Sequence, residues 1–404
     1  MTISESRPSQ QETRSYPFGP PDRLELNPLY ARLQEHEPLS RVHLLYGDDA
    51  WLVVRHEDVR AVLADPRFSR AEAAARDAPR MSPDQPGLHM LDMDPPEHTR
   101  IRRLMAKAFT ARRVEQLRPG AQRTADELLD AMVEAGPPAD LIASFGLPFP
   151  LAVTGELLGV TVADRNEFGT WSEAFTSATK LSPEQRSDYF GKMWAYMADM
   201  VEQRRQTPTD DLLGALVVAR DEQDRLSEQE LVEVSVGLLA AGFETTTNQI
   251  GCFVYLLLHH PDQLALLRSR PELLPDAVEE MMRFVPLTAG APLPRYATED
   301  VQLSGGVVAA GDAVLANRSA ASRDPRAFRD PDRLDLTRSP NPHVGFGYGV
   351  HHCLGAQLAR MELQVALGSL LTRFPELRLA VDEAKLQWKT GLALRGLRSL
   401  PVAW

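Results

Sequence analysis

The sequence predicts a mainly α-helical protein with small β-sheets, folded as one large domain around a long central helix. Ser227 and Glu230 form an S-x-x-E capping pattern before an apolar-periodic run that reaches His260 and stops at Pro261. About 33 residues at ~1.5 Å each give a helix of roughly 50 Å, which should cross the core of a compact domain. The 31 prolines are spread along the chain without a linker-like cluster, so no domain boundary is marked.

The other predicted elements are short and of mixed type. Asp94 is a good N-cap for a helix that starts at Pro95-Pro96. The polar first 21 residues are expected to form a flexible leader, with one domain over residues 22–404. The remaining expectations are, in chain order, a strand at 51–54, a helix at 57–64, a helix ending near 284, short strands between 294 and 315, a long ordered loop at 321–345, and a final helix at 354–374 followed by strands.

Composition excludes several classes of function. The 404 residues include 44 Lys and Arg against 56 Asp and Glu, a net charge of −12, which disfavours nucleic-acid binding. A hydrophobic fraction of 43% with 25% charged residues is typical of a globular protein. The leader lacks the apolar segment of a signal peptide or membrane span, so we expect a cytoplasmic protein without membrane contact.

The chain has two cysteines, Cys252 and Cys353, which is too few for a disulfide framework or a four-cysteine zinc site. Cys252 lies in an apolar helical stretch and is expected to be a buried, inert thiol. Cys353 follows the glycines Gly347 and Gly349, which permit a tight turn close to a large group, and precedes a helix. Backbone N–H groups and the helix dipole there should lower the pKa of the Cys353 thiol.

A thiolate in this position is a nucleophile or a metal ligand. A structural cysteine would not need the glycine pattern, and a hydrolase would need a base that the sequence does not identify. His351, His352 and Cys353 contain zinc-ligand types, but three adjacent residues rarely point at one ion. The ten residues F-G-Y-G-V-H-H-C-L-G therefore favour haem iron, with Phe346 shielding the sulfur from water.

The same ten residues closely resemble the haem loop of cytochrome P450 enzymes, F-G-x-G-x-H-x-C-x-G. The segment 241–246, A-G-F-E-T-T, resembles the oxygen-activation motif of that family, A-G-x-[DE]-T-T. Splitting of dioxygen needs protons, so a hydroxyl over the iron and a nearby carboxylate are required. The resemblance implies that Thr245 and Glu244 are catalytic. Ala241 and Gly242 would lie against the haem, where Gly242 lets oxygen approach the helix backbone.

The resemblance implies the P450 fold and a set of haem contacts. Glu280 and Arg283 match the E-x-x-R motif of the family, and Arg333 occupies the place of its partner arginine, all three with structural roles. Cys353 is the expected axial ligand of the iron. The expected haem contacts are His98, Arg102, Arg295 and His351 at the propionates, with Phe346, Gly347 and Gly355 in the cysteine loop.

The implied cofactor is haem b, iron protoporphyrin IX, with O2 and NAD(P)H-derived electrons as co-substrates. The chain has no flavin or iron–sulfur segment and no dinucleotide-binding fingerprint, so a separate ferredoxin and ferredoxin reductase are implied. Positive charges on or beside one helix form either a ferredoxin docking patch or a solvated basic face. These residues are Arg102, Arg103, Lys107, Arg112 and Arg113.

The whole chain is most similar in character to actinobacterial P450 enzymes that hydroxylate or epoxidise macrolides and other polyketides. The expected substrate is bulky and weakly polar. Two alternatives remain open: oxidative coupling of an aromatic, peptide-like substrate such as a cyclic dipeptide, and a haem-binding sensor or carrier without turnover. The pocket residues implied by the resemblance are Met90, Leu239, Phe243, Leu287, Thr288, Ala289, Gly290, Leu392 and Ala393, which would otherwise be ordinary core residues.

Overall fold

The computed structural model describes residues 13–404 apart from 20–21, 85–86, 88, 107–108, 161–169, 172–173, 175–179, 210, 222–225 and 289–292, and apart from the side chains of residues 89, 219, 221 and 240. Helices dominate the described chain, and the sheets are small, as predicted. The helices are α1 Leu29–His36, α2 His56–Ala64, α3 Ala71–Ala75, α4 Glu97–Ala106, α5 Ala111–Ala135, α6 Pro148–Leu158, α7 Pro183–Gln206, α8 Leu212–Asp221, α9 Glu228–His259, α10 Pro261–Ser269, α11 Leu274–Phe284, α12 Arg318–Ala321 and α13 Ala356–Arg373.

The predicted central helix is α9, which has 32 residues. The Ser227 Oγ accepts the N–H of Glu230, and the Glu230 carboxylate accepts the N–H of Ser227 at 2.7 Å. This reciprocal cap satisfies two of the free N–H groups that every helix start exposes. At the other end α10 begins at Pro261. Because α9 packs against α6, α7 and α13, it runs through the core and can carry side chains to the centre of the molecule.

The largest sheet contains six strands in the order β1-β2-β3-β9-β6-β4, and β3 and β9 pair in parallel with Leu52 opposite Leu315. A three-stranded sheet has the order β10-β13-β5, and two hairpins pair β7 with β8 and β11 with β12. The strands are β1 Arg14–Ser15, β2 Leu39–His43, β3 Ala50–Val53, β4 Phe68–Ser69, β5 Ala139–Asp140, β6 Arg295–Ala297, β7 Val301–Leu303, β8 Gly306–Val308, β9 Ala313–Ala316, β10 Arg378–Leu379, β11 Gln387–Trp388, β12 Leu397–Ser399 and β13 Pro401–Ala403.

The main core lies between α5, α9, α11 and α13 and is filled by fully buried side chains such as Phe253, Met281 and Leu367. Cys252 belongs to this core, and burial raises the pKa of its thiol to about 12, as expected of an inert cysteine. Since α13 follows the cysteine loop directly, the same packing places that loop beside the central helix.

The expectation of a flexible leader over residues 1–21 is wrong for residues 14–16. Arg14 and Ser15 form β1 and pair in parallel with β2. The ring of Tyr16 is 3% exposed, and its hydroxyl accepts an N–H of Asn317 at 3.0 Å. Asn317 is about 300 residues away in sequence, so the local composition around Tyr16 could not predict this contact. Residues 1–12 and 20–21 lie outside the described chain.

No single helix in the described ranges is both long and apolar enough to cross a membrane. The consecutive helices α9 and α10 meet that criterion only as a pair bent by 103°, by length and composition alone.

Candidate active site

The cysteine loop makes a tight turn that holds Cys353 just before α13. Gly347 and Gly349 have φ angles of 77° and 72°, which L side chains rarely adopt. A Cβ on Gly349 would lie 2.5 Å from the carbonyl oxygen of Leu63 in α2, so glycine is also required for close approach. The Cys353 N–H donates to the carbonyl of Phe346 at 2.8 Å and closes the loop.

The side chain of Cys353 is exposed to the cavity, and donors and cations surround it. Desolvation by the surrounding protein atoms is the largest influence on its pKa and raises it. The backbone N–H of Gly355 bonds to the sulfur and lowers the pKa, as do the charges of Arg318, Arg102 and Arg360. The predicted lowering by a backbone N–H is present, but desolvation outweighs it, so the pKa of the Cys353 thiol is raised on balance. These groups nevertheless favour the thiolate, the form that binds a metal.

A cavity of about 170 Å³ brings the predicted residues together. Cys353 and Phe346 line it from the cysteine loop, and Thr245 lines it from α9. Leu287 and Thr288 follow α11 and form another part of the wall. The sulfur and the hydroxyl singled out from two distant motifs therefore face one cavity.

Two imidazoles with buried ring nitrogens lie side by side, and neither has a hydrogen-bond partner among the described residues. The rings of His98 and His351 are 4.3 Å apart between centroids, and both nitrogens of each ring are buried and unpaired. Burial lowers the pKa of both rings, that of His351 to about 3, so both are neutral at pH 7. Each ring then offers one N–H donor, and buried donors without acceptors are costly unless a ligand pairs with them.

Two arginines also point to an anionic ligand. Arg295, at the start of β6, is 5% exposed and donates to the carbonyl of Phe68 at 3.0 Å. Burial, reinforced by the neighbouring charge of Arg70, lowers the pKa of Arg295 to about 10. Arg102 donates to the carbonyl of His352 at 2.5 Å and so braces the cysteine loop. The unpaired imidazole N–H groups and these guanidinium groups fit the two carboxylates of a haem.

The oxygen-activation segment lies near the middle of α9. Thr245 Oγ1 donates to the carbonyl of Ala241, one turn earlier, at 3.0 Å. Glu244 is buried, and its Oε1 accepts from Lys389 Nζ at 2.8 Å and from Asn248 Nδ2 at 3.1 Å. The sequence motifs did not indicate Lys389, which follows β11 and reaches α9 only in the folded chain.

Two glycines allow close packing against α9. A Cβ on Gly242 would meet Thr154 of α6 at 2.8 Å, so the packing of α9 against α6 requires this glycine. Its expected role, to let oxygen approach the helix backbone, stays a prediction. A Cβ on Gly396, just before β12, would overlap Asn248 Oδ1. The Lys389 N–H donates to the carbonyl of Gly396 at 2.8 Å, so one C-terminal turn supplies both contacts to the Glu244 region.

The predicted ion cluster forms with a different third member. Glu280 and Arg283 are fully buried and joined by bonds of 2.7 and 2.8 Å. Arg333 is exposed, and its carbonyl oxygen accepts from Arg283 at 3.3 Å and from Arg338 at 3.1 Å. Arg338 instead donates to Glu280 Oε2 at 3.0 Å. The assignment of Arg333 to the cluster was therefore wrong. The loop turns back to α11 five residues later, and this brings Arg338 to Glu280 instead.

The other predicted pocket residues are divided between wall and core. Leu239 and Phe243 are completely buried in an apolar cluster with α7 and α8, and neither lines the cavity. Met90 packs on the same cluster, whereas Leu392 and Ala393 are partly buried beside Leu394, which lines the cavity. The predicted pocket residues Ala289 and Gly290 lie outside the described chain.

Sequence reasoning missed two further charged groups. Arg318, the first residue of α12, lines the cavity with Cys353. Glu362 of α13 is 1% exposed, its Oε1 has no partner, and burial raises its pKa to about 8. The hydroxyl of Thr246 lies beside it and partly offsets that rise. In the sequence, Glu362 stands among apolar residues of α13, and this pattern could have indicated a buried carboxyl group.

The predicted basic patch spans two helices. Arg103 near the end of α4 and Arg112 near the start of α5 are exposed, and Arg113 is partly exposed. Arg102 turns inward to the cysteine loop, and Lys107 lies outside the described chain. The described residues contain no group of three or more His, Cys, Asp or Glu side chains that could hold a metal ion.

Fold and site together define a haem-binding oxidoreductase in which one cysteine faces a threonine across a cavity. The cytochrome P450 family model matches residues 173–394. The mycinamicin IV hydroxylase/epoxidase of Micromonospora griseorubida is 53% identical over 97% of this chain and 99% of that protein. The nocardicin C N-oxygenase of Nocardia uniformis subsp. tsuyamanensis is 51% identical over 98% of this chain and 100% of that protein.

A crystal structure of the LnmA cytochrome P450 hydroxylase, from the leinamycin biosynthetic pathway of Streptomyces atroolivaceus, is similar with a TM-score of 0.91 and 52% identity over 97% of this chain and 100% of that chain. The chain therefore belongs to the cytochrome P450 family. It is a monooxygenase with the P450 fold and takes haem b as cofactor, with O2 and NAD(P)H-derived electrons as co-substrates.

Proposed function

We propose that this P450 inserts one oxygen atom from O2 into a macrolide or related polyketide intermediate of antibiotic biosynthesis, by hydroxylation or epoxidation. The observation that carries the reaction type is the shared cavity of Cys353 and Thr245. The substrate class is supported by 53% identity to a mycinamicin IV hydroxylase/epoxidase over nearly the full length of both chains. Leu287 and Leu394 give the cavity the apolar wall that such a molecule needs.

Cys353 is the proposed ligand of the haem iron, and the thiolate-ligated haem supplies O2 activation when bound. His98 and His351 would donate their free N–H groups to the haem carboxylates. Arg295 and Arg102 would add positive charge to those donors. Phe346 packs beside the loop, with the guanidinium of Arg360 4.5 Å from the centre of its ring, and keeps water from the sulfur.

Proton delivery is proposed for the Glu244 and Thr245 pair. The Thr245 hydroxyl, on the cavity wall, can release the carbonyl of Ala241 by rotating about χ1 and then donate into the cavity. Glu244 stands next in the helix, with its carboxylate held by Lys389 and Asn248. That carboxylate would pass protons toward the hydroxyl, so both residues act as donors in general acid catalysis.

A ferredoxin, itself reduced by a ferredoxin reductase, is the proposed electron donor. Exposed Arg103 and Arg112 lie at the junction of α4 and α5, and Arg102 links α4 to the cysteine loop. An acidic partner docked there would approach the cofactor from the side of Cys353. We further propose that the chain forms one domain, which includes β1, and that the protein acts in the cytoplasm.

An optical titration of the ferric holoenzyme tests the substrate class. Macrolides, their biosynthetic precursors and tryptophan-containing cyclic dipeptides would be titrated while the Soret band is followed. A saturable shift to shorter wavelength with macrolides alone supports the proposal. A shift confined to the dipeptides would replace it by oxidative coupling. Binding without product in a reconstituted system with ferredoxin, reductase and NADPH would favour a sensor or carrier.

A further inference from the structure

The cavity contains a cation that neither the motifs nor the family resemblance indicated. Arg318 begins α12 and reaches the cavity between the cysteine loop and the segment after α11. Its guanidinium donates to the carbonyl of Gly345 and to Thr288 Oγ1, both at 3.5 Å. Both bonds are at the limit of hydrogen-bond length, and both acceptors are neutral. Within the described chain no carboxylate forms an ion pair with Arg318.

Arg318 is partly buried, and this makes its arrangement costly unless an anion is nearby. Protein atoms around Arg318 lower its pKa, and the negative charge of the Cys353 thiolate opposes that change. A guanidinium removed from water loses hydration that two long bonds to neutral oxygens do not replace. Arg283 illustrates one solution to this cost, since it pairs with the carboxylate of Glu280 at 2.7 Å. Arg318 therefore needs a counter-ion from a ligand of the cavity.

The charge balance of the site also calls for another cation. His98 and His351 are neutral at pH 7 and offer N–H groups without charge. One nitrogen of Arg102 is engaged by the carbonyl of His352, and one of Arg295 by that of Phe68. A bound haem brings two carboxylates, and the ligating thiolate adds a third negative charge. Arg318 lies on the cavity wall, where its positive charge can offset part of this negative charge.

We propose that Arg318 binds a carboxylate of the bound haem from the wall of the cavity that Cys353 also lines. The inference rests on the haem site described above and is independent of the substrate class. A planar guanidinium pairs well with a carboxylate, and its two long bonds leave donors free for one.

The test measures haem release from the ferric holoenzyme to excess apomyoglobin. The proteins are the wild type, Arg318→Gln and Arg318→Lys, each loaded either with haem b or with iron protoporphyrin IX dimethyl ester. With haem b, Arg318→Gln should release haem roughly tenfold to hundredfold faster, the range expected for one charge-assisted hydrogen bond. The release rate of Arg318→Lys should lie between those of the wild type and Arg318→Gln. On the dimethyl ester, which has no carboxylates, the wild type and Arg318→Gln should release at the same rate.

Arg60→Gln is the matched control, since Arg60 carries the same charge beside the cysteine loop but stacks on exposed Tyr348 instead of lining the cavity. It should leave the release rates of both haems unchanged. Equal acceleration of both haems by Arg318→Gln would mean general loosening of the protein and would overturn the proposal, as would unchanged rates with haem b. A Soret titration without macrolide binding would refute the substrate class and leave this comparison intact.

Discussion

Glu362 gives the sharpest test of the electrostatics of the core. The replacement is Glu362→Gln, which keeps the shape of the side chain and removes its proton equilibrium. Burial raises the pKa of the carboxyl from 4.5 to about 8, so the folded protein holds a proton that the unfolded chain releases. Folding therefore takes up one proton between these two pH values, and the free energy of unfolding falls as pH rises through that window.

The magnitude follows from the width of the window. One proton changes the free energy of unfolding by about 1.4 kcal/mol for each pH unit, or at most roughly 5 kcal/mol over the window from 4.5 to about 8. Below pH 4.5 both states are protonated, and above about 8 both are ionised, so the effect is constant outside the window. The neutral amide of the variant has no such dependence. The advantage of the variant over the wild type should therefore grow from pH 5 to pH 8.

Urea unfolding of the haem-loaded proteins, followed by far-ultraviolet circular dichroism at several values between pH 5 and pH 9, measures this difference. All other titrating groups are shared by the two proteins and cancel in the comparison. Parallel stability profiles, with a constant difference across that range, would refute the reasoning, because they would mean that Glu362 ionises near its usual pH in the folded protein.

Three further outcomes follow from the site. Cys353→Ser should abolish the thiolate-type absorption band of the ferrous CO complex, and persistence of that band would exclude Cys353 as ligand. Thr245→Ala should keep substrate binding but divert NADPH electrons from product to peroxide, by about tenfold or more, and unchanged coupling of NADPH use to product would remove the proton-delivery role. Arg338→Met should lower the free energy of unfolding by roughly 2–3 kcal/mol by taking a charged hydrogen bond from Glu280, whereas Arg333→Met should change it little, and equal effects in thermal unfolding would contradict the reassignment.

Signals that are local in sequence predicted the fold well. The capping pattern at Ser227 and the stop at Pro261 both lie within one turn of the helix end that they define, so the limits of α9 were readable. The strand at β3 and the helix α2 were likewise recognisable from short runs of apolar residues. The strand β1 was missed because its partner β2 supplies the hydrogen bonds, and a two-residue segment has no periodicity of its own.

The site was predictable where chemistry is tied to spacing within a motif. Cys353 and Thr245 belong to such motifs, and both line the cavity. Lys389 and Arg318 reach the site from segments that resemble ordinary surface sequence, so only the fold connects them to it. The balance of influences on the Cys353 pKa was missed for a related reason. The favourable N–H bond is local, but the opposing desolvation comes from the whole surrounding structure.

The position of the Glu244 carboxyl group depends on the absence of a side chain at Gly396. The C-terminal turn approaches α9 so closely that a methyl group there would displace the amide of Asn248, which in turn holds Glu244. Mutant libraries confined to the cavity wall would not sample this residue, since it is not part of that wall. If Glu244 supplies protons as proposed, that supply is open to adjustment, by evolution or by design, from a backbone position outside the cavity wall.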